Sequence, residues 1–298
     1  MKKLLALTLA LIMCIFCFAS CGASDDADGN DTNADTNADT NADTNAESGN
    51  DAVADDGDIA YIRNQGKLIV GVTYLEPLDF QDENSNWIGF DAELAAAVAE
   101  KLGVDVEFQE ISWEAKEAEL AAKHIDCIWN GLTITPARQE EMSITIPYMV
   151  NKQIVVVRAE DAGDYTDVNS LAGKVIAAEA GSAGEEIVLD KIADAVYVEK
   201  SIQLDALTEV KALTSDAAVI DYVMANYLIN KENSAFADLE ILDMSLSDTE
   251  YYGIAFRKES DLTAKVNEIL AELEADGTIA DIAGKYALTD ALVSMSAE

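Results

Sequence analysis

KLIVGVTYLEPLDFQDENSNWIGFDAELAAAVAEKLGVDVEFQEISWEAKEAELAAKHIDCIW, residues 67–129, carries the pattern from which the fold is read. It opens on a short apolar run, 67–73, that ends in a turn-rich loop and so reads as a buried strand. Asp91 is expected to cap the next segment, where Leu94, Ala95, Val98, Ala99 and Leu102 share one face of a helix that Gly103 ends. Alternation over 104–111 gives a second strand. A helix opened by Ser112 runs to Lys123, and the apolar run 125–129 is a third strand. Strand and helix alternating with short connections predict a mostly parallel sheet with helices on both faces.

Moving toward the C-terminus, 129–141, WNGLTITPARQEE, reads as the end of a buried strand, a short polar crossing and the first turn of a helix. Thr135 suits the N-cap and Pro136 the first helical position, where a missing N–H loses no bond. Arg138 then falls in the first turn, where the helix end is already positive and prefers anions. Either the guanidinium pairs with Glu141 or a surface acid, or it joins the Thr133 hydroxyl and free backbone N–H groups in a site for a carboxylate. After 147–148 the pattern restarts. Strands are expected at 153–158, 174–179, 196–198 and 217–220, with helices at 181–192, 201–213 and 222–229. Extended segments at 241–246 and 252–256 and helices at 262–276 and 278–286 complete the chain. Two such α/β blocks joined by a β crossover predict an α/β fold of two lobes with a ligand cleft at the carboxyl ends of the strands.

Toward the N-terminus the chain changes character. Residues 1–20 read as a secretion signal: Lys2 and Lys3, an apolar run, then small residues. The stretch 18–21, Phe-Ala-Ser-Cys, is similar to a bacterial lipobox, with Phe18 where Leu is usual, and that likeness implies a lipid on Cys21. Ordinary cleavage nearby is the alternative. Residues 21–58 contain a repeat close to Asp-Thr-Asn-Ala with almost nothing to bury, so an acidic, disordered tether is expected. The 298 residues carry 57 acids against 19 Lys and Arg. Removing the tether's 12 acids and the two signal lysines leaves 45 acids against 17 Lys and Arg, a body near −28. Such a charge argues against nucleic-acid binding, which needs basic patches. Cys127 is the only cysteine of the body and reads as a small buried hydrophobe. One His and one body Cys make no ligand cluster, so no metal or other cofactor is expected.

Together and in order, Gly71-Val72 with Pro77, Gly89-Phe90-Asp91, Ile125-Asp126, the run 131–135 with Arg138, Pro147-Tyr148 and 218–221 resemble the family 3 extracellular solute-binding proteins, the amino-acid receptors of bacterial ABC importers. The likeness covers 59 to about 286. It implies a type II periplasmic-binding-protein-like fold with a two-strand hinge. The expected first lobe is 59–150 with 249–298, and the second 151–248. It further implies a lipid-anchored monomer on the outer face of the cell membrane, with a free amino acid and an ABC permease as partners.

By the same resemblance Arg138, helped by Thr133, would grip the ligand carboxylate, with Ser182 and Ala183 in a glycine-flanked helix start donating to it from across the cleft. Ala183 stands where a hydroxyl residue is common. Asp221 would take the ammonium, with the Gly131 carbonyl as a second acceptor; an N-cap role for Asp221 is compatible. Trp113 and Asn130 would meet the ligand side chain, with Tyr74 and Glu76 on the first loop nearby. Lys116 reads as a solvated helix lysine, with contact to an acidic or amide side chain of the ligand as the alternative, and His124 as a loop residue. The rival classes are an enzyme on this fold, such as a dehydratase, which would need a tuned general acid or base, and the binding component of a signalling system.

Overall fold

The structure, a computed structural model, describes residues 57–244 and 246–295. The expected signal 1–20, the lipidation at Cys21 and the tether up to 56 lie outside the described residues. The tether's expected end at 58 moves, because Asp58 begins helix α1 (Asp58–Gln65).

β1 (Lys67–Val72), the short pair β2 (Phe80–Gln81) and β3 (Trp87–Ile88), α2 (Phe90–Leu102), β4 (Asp105–Glu110), α3 (Lys116–Ala121), β5 (Cys127–Thr133), α4 (Pro136–Glu141), β6 (Met142–Ile144) and β7 (Met149–Asn151) follow. Next come β8 (Gln153–Arg158), β9 (Val175–Glu179), α5 (Ala183–Lys191), β10 (Val196–Lys200), α6 (Gln203–Lys211), β11 (Ala217–Asp221), α7 (Tyr222–Asn230) and β12 (Leu239–Ile241). β13 (Glu250–Arg257), α8 (Leu262–Ala275) and α9 (Thr278–Lys285) complete the order.

Two sheets organise these elements. The first runs β4-β1-β5-β13-β6, with β7 also on β13; the second runs β10-β9-β11-β8-β12. Each has the same logic. The founding strand is flanked by two parallel partners, β4 and β5 around β1 and β10 and β11 around β9. An antiparallel strand from elsewhere in the chain then extends it, β13 on β5 and β8 on β11. Because the chain leaves the founding strand to one side and returns on the other, each sheet has a topological switch at the carboxyl end of β1 or β9, where ligands bind in such folds. The main chain passes between the sheets at Lys152, between β7 and β8, and again before β13.

Packing explains the element boundaries. Leu94, Val98 and Leu102 of α2 join Leu68 and Val70 of β1 and Trp129 of β5 in one core cluster. In the second lobe, Ile187 and Val188 of α5 pack with Val155, Val157 and Val219. Each such side chain contributes about 1.5–3 kcal/mol on burial. β5 is buried at all seven positions and continues to Thr133, so the polar crossing expected from Asn130 onward is strand instead. Burial on both faces hides the alternation that would have announced it. Asp91 is not a cap: Gly89 precedes α2, and the Asp91 carboxylate points inward. The helix expected from Ser112 begins as a 3-10 turn over Trp113–Ala115, and of the extended segment expected at 241–246 only Ile241 is strand.

One buried charge cluster ties the N-terminal helix to the first sheet. Arg257 at the end of β13 donates to both Asp58 oxygens at 3.0–3.1 Å, to Asp126 Oδ1 at 3.1 Å and to the Ile125 carbonyl at 2.9 Å. Asp126 is buried and also accepts from the Ile69 N–H at 3.0 Å. Arg257→Ala leaves that carboxylate without its cation and is expected to cost about 3 kcal/mol. Chemical denaturation would measure this; a loss under about 0.5 kcal/mol would mean the cluster is only surface decoration.

Candidate functional site

The carboxyl ends of β5, β9 and β11 and the turns after β1 and β4 meet along one crevice. Leu75, Trp113, Asn130, Gly131, Thr133 and Arg138 line it from the first lobe, and Glu179, Ser182, Ala183, Gln203 and Asp221 from the second. About 10 Å³ of free space remains, room for about one water molecule. The lobes must therefore part to admit anything larger. A wider groove of about 550 Å³ lies elsewhere, between α7 and residues 286–291, lined by Tyr222, Tyr227 and Tyr286 among others. Its charged lining residues are Lys152, Lys231 and Asp290, and it does not include the Arg138 and Asp221 that face each other in the small crevice.

Local sequence explains where Arg138 sits. The Thr135 hydroxyl accepts from the Arg138 N–H at 3.2 Å, and Pro136 opens α4. This holds the side chain back along β5, where Nη1 donates to the Thr133 carbonyl at 2.8 Å and Nη2 reaches the Gly181 carbonyl of the other lobe at 3.4 Å. Among the described residues, neither Glu141 nor a surface acid pairs with it. The Thr133 hydroxyl donates to Glu250 Oε2 at 3.3 Å. Lys116 corrects the solvated-lysine expectation. It is 3% exposed. Its Nζ donates to the Trp113 and Gly181 carbonyls at 3.2 and 3.0 Å, pairs with Glu117 at 3.1 Å and lies 5.0 Å from the Trp113 ring centre. Burial and the Arg138 charge push its pKa down.

Across the crevice, Ser182 caps α5 by accepting from the Glu185 N–H at 3.2 Å. The N–H groups of Ala183 and Gly184 at this helix start have no intrahelical acceptor and are available to an anion. Asp221 ends β11 inside a set of amides. Its Oδ1 accepts from Asn151 at 2.5 Å and Gln153 at 2.6 Å, Oδ2 accepts from Gln203, and its own N–H donates to Gln203 Oε1 at 2.9 Å. No cap bond to α7 forms. Burial outweighs these donors and raises its pKa.

Asn130 and Gly131 form the floor. The Asn130 amide is fully engaged: Oδ1 accepts from the Thr73 N–H and hydroxyl, and Nδ2 donates to the Thr73 carbonyl and to Asp79 Oδ2 at 2.7 Å. Gly131 has φ +59°, and a Cβ there would come within 2.9 Å of Leu75. Its N–H donates to Asp91 Oδ2, which also accepts from the Tyr148 hydroxyl at 2.8 Å. Asp79 and Asp91 are both buried, and an oxygen on each lacks a partner. Burial pushes Asp91 up to about 7, and burial with the Asp91 charge holds Asp79 well above the ordinary carboxyl range.

Tyr74 and Glu76 fall outside the crevice lining. The Tyr74 hydroxyl donates to Glu76, and Glu76 is bound by Lys231 of the second lobe at 2.9 and 3.0 Å. They form an interlobe latch. His124 is exposed beside Glu119, and Cys127 is buried and free. Sequence reasoning missed Leu75, Gln203 and Glu179. Glu179 had a signal: it is an acid closing an apolar strand, as Asp221 is.

Comparison with known proteins adds an independent line. Residues 68–289 match the profile of Bacterial extracellular solute-binding proteins, family 3. The L-cystine-binding protein TcyJ of Escherichia coli K12 is 27% identical over 236 residues, 78% of this chain and 87% of that protein. The arginine-binding extracellular protein ArtP of Bacillus subtilis is 29% identical over 223 residues, covering 74% and 86%. Among solved structures, an ABC uptake transporter substrate-binding protein of Streptococcus pneumoniae with bound histidine superposes with a TM-score of 0.74 at 29% identity, covering 80% of this chain and 99% of that one.

The buried pair under the floor predicts a pH dependence. The folded protein keeps a proton that the unfolded chain has released above the ordinary carboxyl value of 3.8, so stability falls as pH rises from there through about 7. Asp79→Asn replaces the charge while its amide oxygen still accepts from Asn130. The variant is expected to exceed the natural protein by about 1 kcal/mol, or about 2–4 °C in Tm, near pH 8, and by less near pH 5. Thermal unfolding across that range checks it; an equal difference at both ends rules out the retained proton as the cause.

Proposed function

The chain belongs to the bacterial extracellular solute-binding proteins, family 3, and on that footing we propose that it is a receptor that takes an α-amino acid into the crevice and delivers it to the permease of an ABC importer. The observation that carries this reading is that Arg138 and Asp221 line one crevice from opposite lobes. An amino-acid zwitterion presents a carboxylate and an ammonium that must both be met when water is removed. The Arg138 guanidinium, the Thr133 hydroxyl and the N–H groups at the start of α5 serve the carboxylate. Asp221, with the Gly131 carbonyl, serves the ammonium, and Trp113 walls the side chain.

A ligand held by both lobes favours the closed form by its differential affinity for it. The lobes proposed are 59–150 with 249–298, and 151–248, turning about Lys152 and the segment before Glu250. The Glu76–Lys231 pair adds a direct interlobe contact to the closed form. The named relatives are binding proteins, which supports binding and release without chemistry. Anchoring through a lipid on Cys21, on the outer face of the membrane as a monomer, suits a receptor that must stay near its permease.

A thermal-shift panel of the twenty amino acids and L-cystine should yield at least one stabilising ligand by mass action. By calorimetry, Arg138→Ala is expected to weaken that ligand by about 100-fold or more with the fold intact. Asp221→Asn is expected to cost more than about 1 kcal/mol. Undiminished binding by the Arg138 variant would remove the carboxylate assignment. A des-amino analogue bound as tightly as its parent would remove the role of Asp221.

A further inference from the structure

Glu179 is the one acid lining the crevice that the zwitterion reading leaves without work. It closes β9 at 3% exposure, and its Oε1 has no hydrogen-bond partner. The charges around it can be accounted for one by one. Lys116 is paired with Glu117 and holds two carbonyls. Arg138 is taken by the ligand carboxylate and Asp221 by the ligand ammonium, so each of these cancels. Glu179 keeps a Gln203 hydrogen bond and some attraction from Lys116, but its Oε1 is then left as a buried acceptor with an unmade bond, a costly state for such a group.

Resting on the amino-acid reading of the crevice, we propose that Glu179 selects the side chain, and that the ligand class is the basic amino acids. An ammonium or guanidinium on the ligand side chain supplies a direct counter-charge and an N–H donor for Glu179 Oε1, adding to the Gln203 hydrogen bond and the Lys116 charge that already favour the ionised form. The neighbouring residues agree with this placement. Gln203 bridges the region by bonding Asp221 through both ends of its amide, and it lies against Glu179, so the two acids stand side by side on one wall. Burial and the Asp221 charge disfavour an ionised Glu179 on its own, and a ligand cation removes that penalty. A neutral side chain of equal length fills the same space without relieving it.

Calorimetry on the mature protein tests this with L-lysine, L-ornithine and L-arginine against the near-isosteres L-norleucine and L-citrulline. The basic members are expected to bind about 10- to 100-fold more tightly than the neutral ones. Glu179→Gln, which keeps the shape, is expected to bring the lysine-to-norleucine ratio to within about threefold of one. The natural-protein panel stands by itself if the variant does not fold. Equal binding of lysine and norleucine by the natural protein overturns the selection by Glu179 while leaving the amino-acid receptor in place. So does a Glu179→Gln variant that weakens both ligands by the same factor, since that would assign Glu179 to the ammonium common to all amino acids. Failure of every amino acid to bind overturns the receptor reading itself, and this inference with it.

Discussion

The carbonyl oxygen of Gly181 accepts hydrogen bonds from two buried cations of the opposite lobe, Lys116 and Arg138. A carbonyl has two lone pairs, and both are used here across the gap between lobes. Gly181 has φ +71°, and a Cβ on it would come within 2.8 Å of the Glu114 backbone. The lobes approach this closely only because that residue has no side chain. A neutral oxygen is also a weaker partner for a guanidinium than a carboxylate is. An anion entering the crevice would be the stronger partner for both cations.

The other wall has the opposite character. Asp221 is embedded among three amides, from Asn151, Gln153 and Gln203, and two of these belong to the strands that carry the chain between lobes. The acid that would hold an ammonium is thereby tied to the segment where the chain crosses between the two sheets. A carboxylate offers about four lone-pair directions, so three donors orient it and leave one for a ligand. Cations on one side and acids on the other make a crevice whose dipole matches that of a zwitterion. Asp79 and Asp91 hold the Asn130–Gly131 corner from behind, and neither lines the crevice.

Much of this was legible beforehand, and the failures have identifiable causes. The alternation of elements gave both sheets. Thr135 and Pro136 located the start of α4, so Arg138 could be placed as a misfit in a first turn. Asp221 follows the apolar strand expected at 217–220, and the family likeness marks it for the ammonium. The strand-end position, applied to Glu179, would have found it. Lys116 misled because a lysine one turn into a short helix is ordinarily solvated; only the approach of Gly181 from the other lobe buries it. Tyr74 and Glu76 were placed near a ligand by loop position, yet Lys231, 155 residues from Glu76, takes the carboxylate instead.

Hydrophobic period, caps and strand-end acids are local, so the chain alone determined two α/β blocks, a crossover between them, a guanidinium in the first turn of a helix and a carboxylate at a strand end. Which groups meet across the crevice was decided only by tertiary structure. Hydrogen bonds such as Lys116 to Gly181 and Lys231 to Glu76 join positions far apart in sequence, and their partners are set by how two independently formed sheets dock. Burial, which turns Glu179 from an ordinary acid into an unsatisfied one, is likewise a property of that docking and of no local stretch.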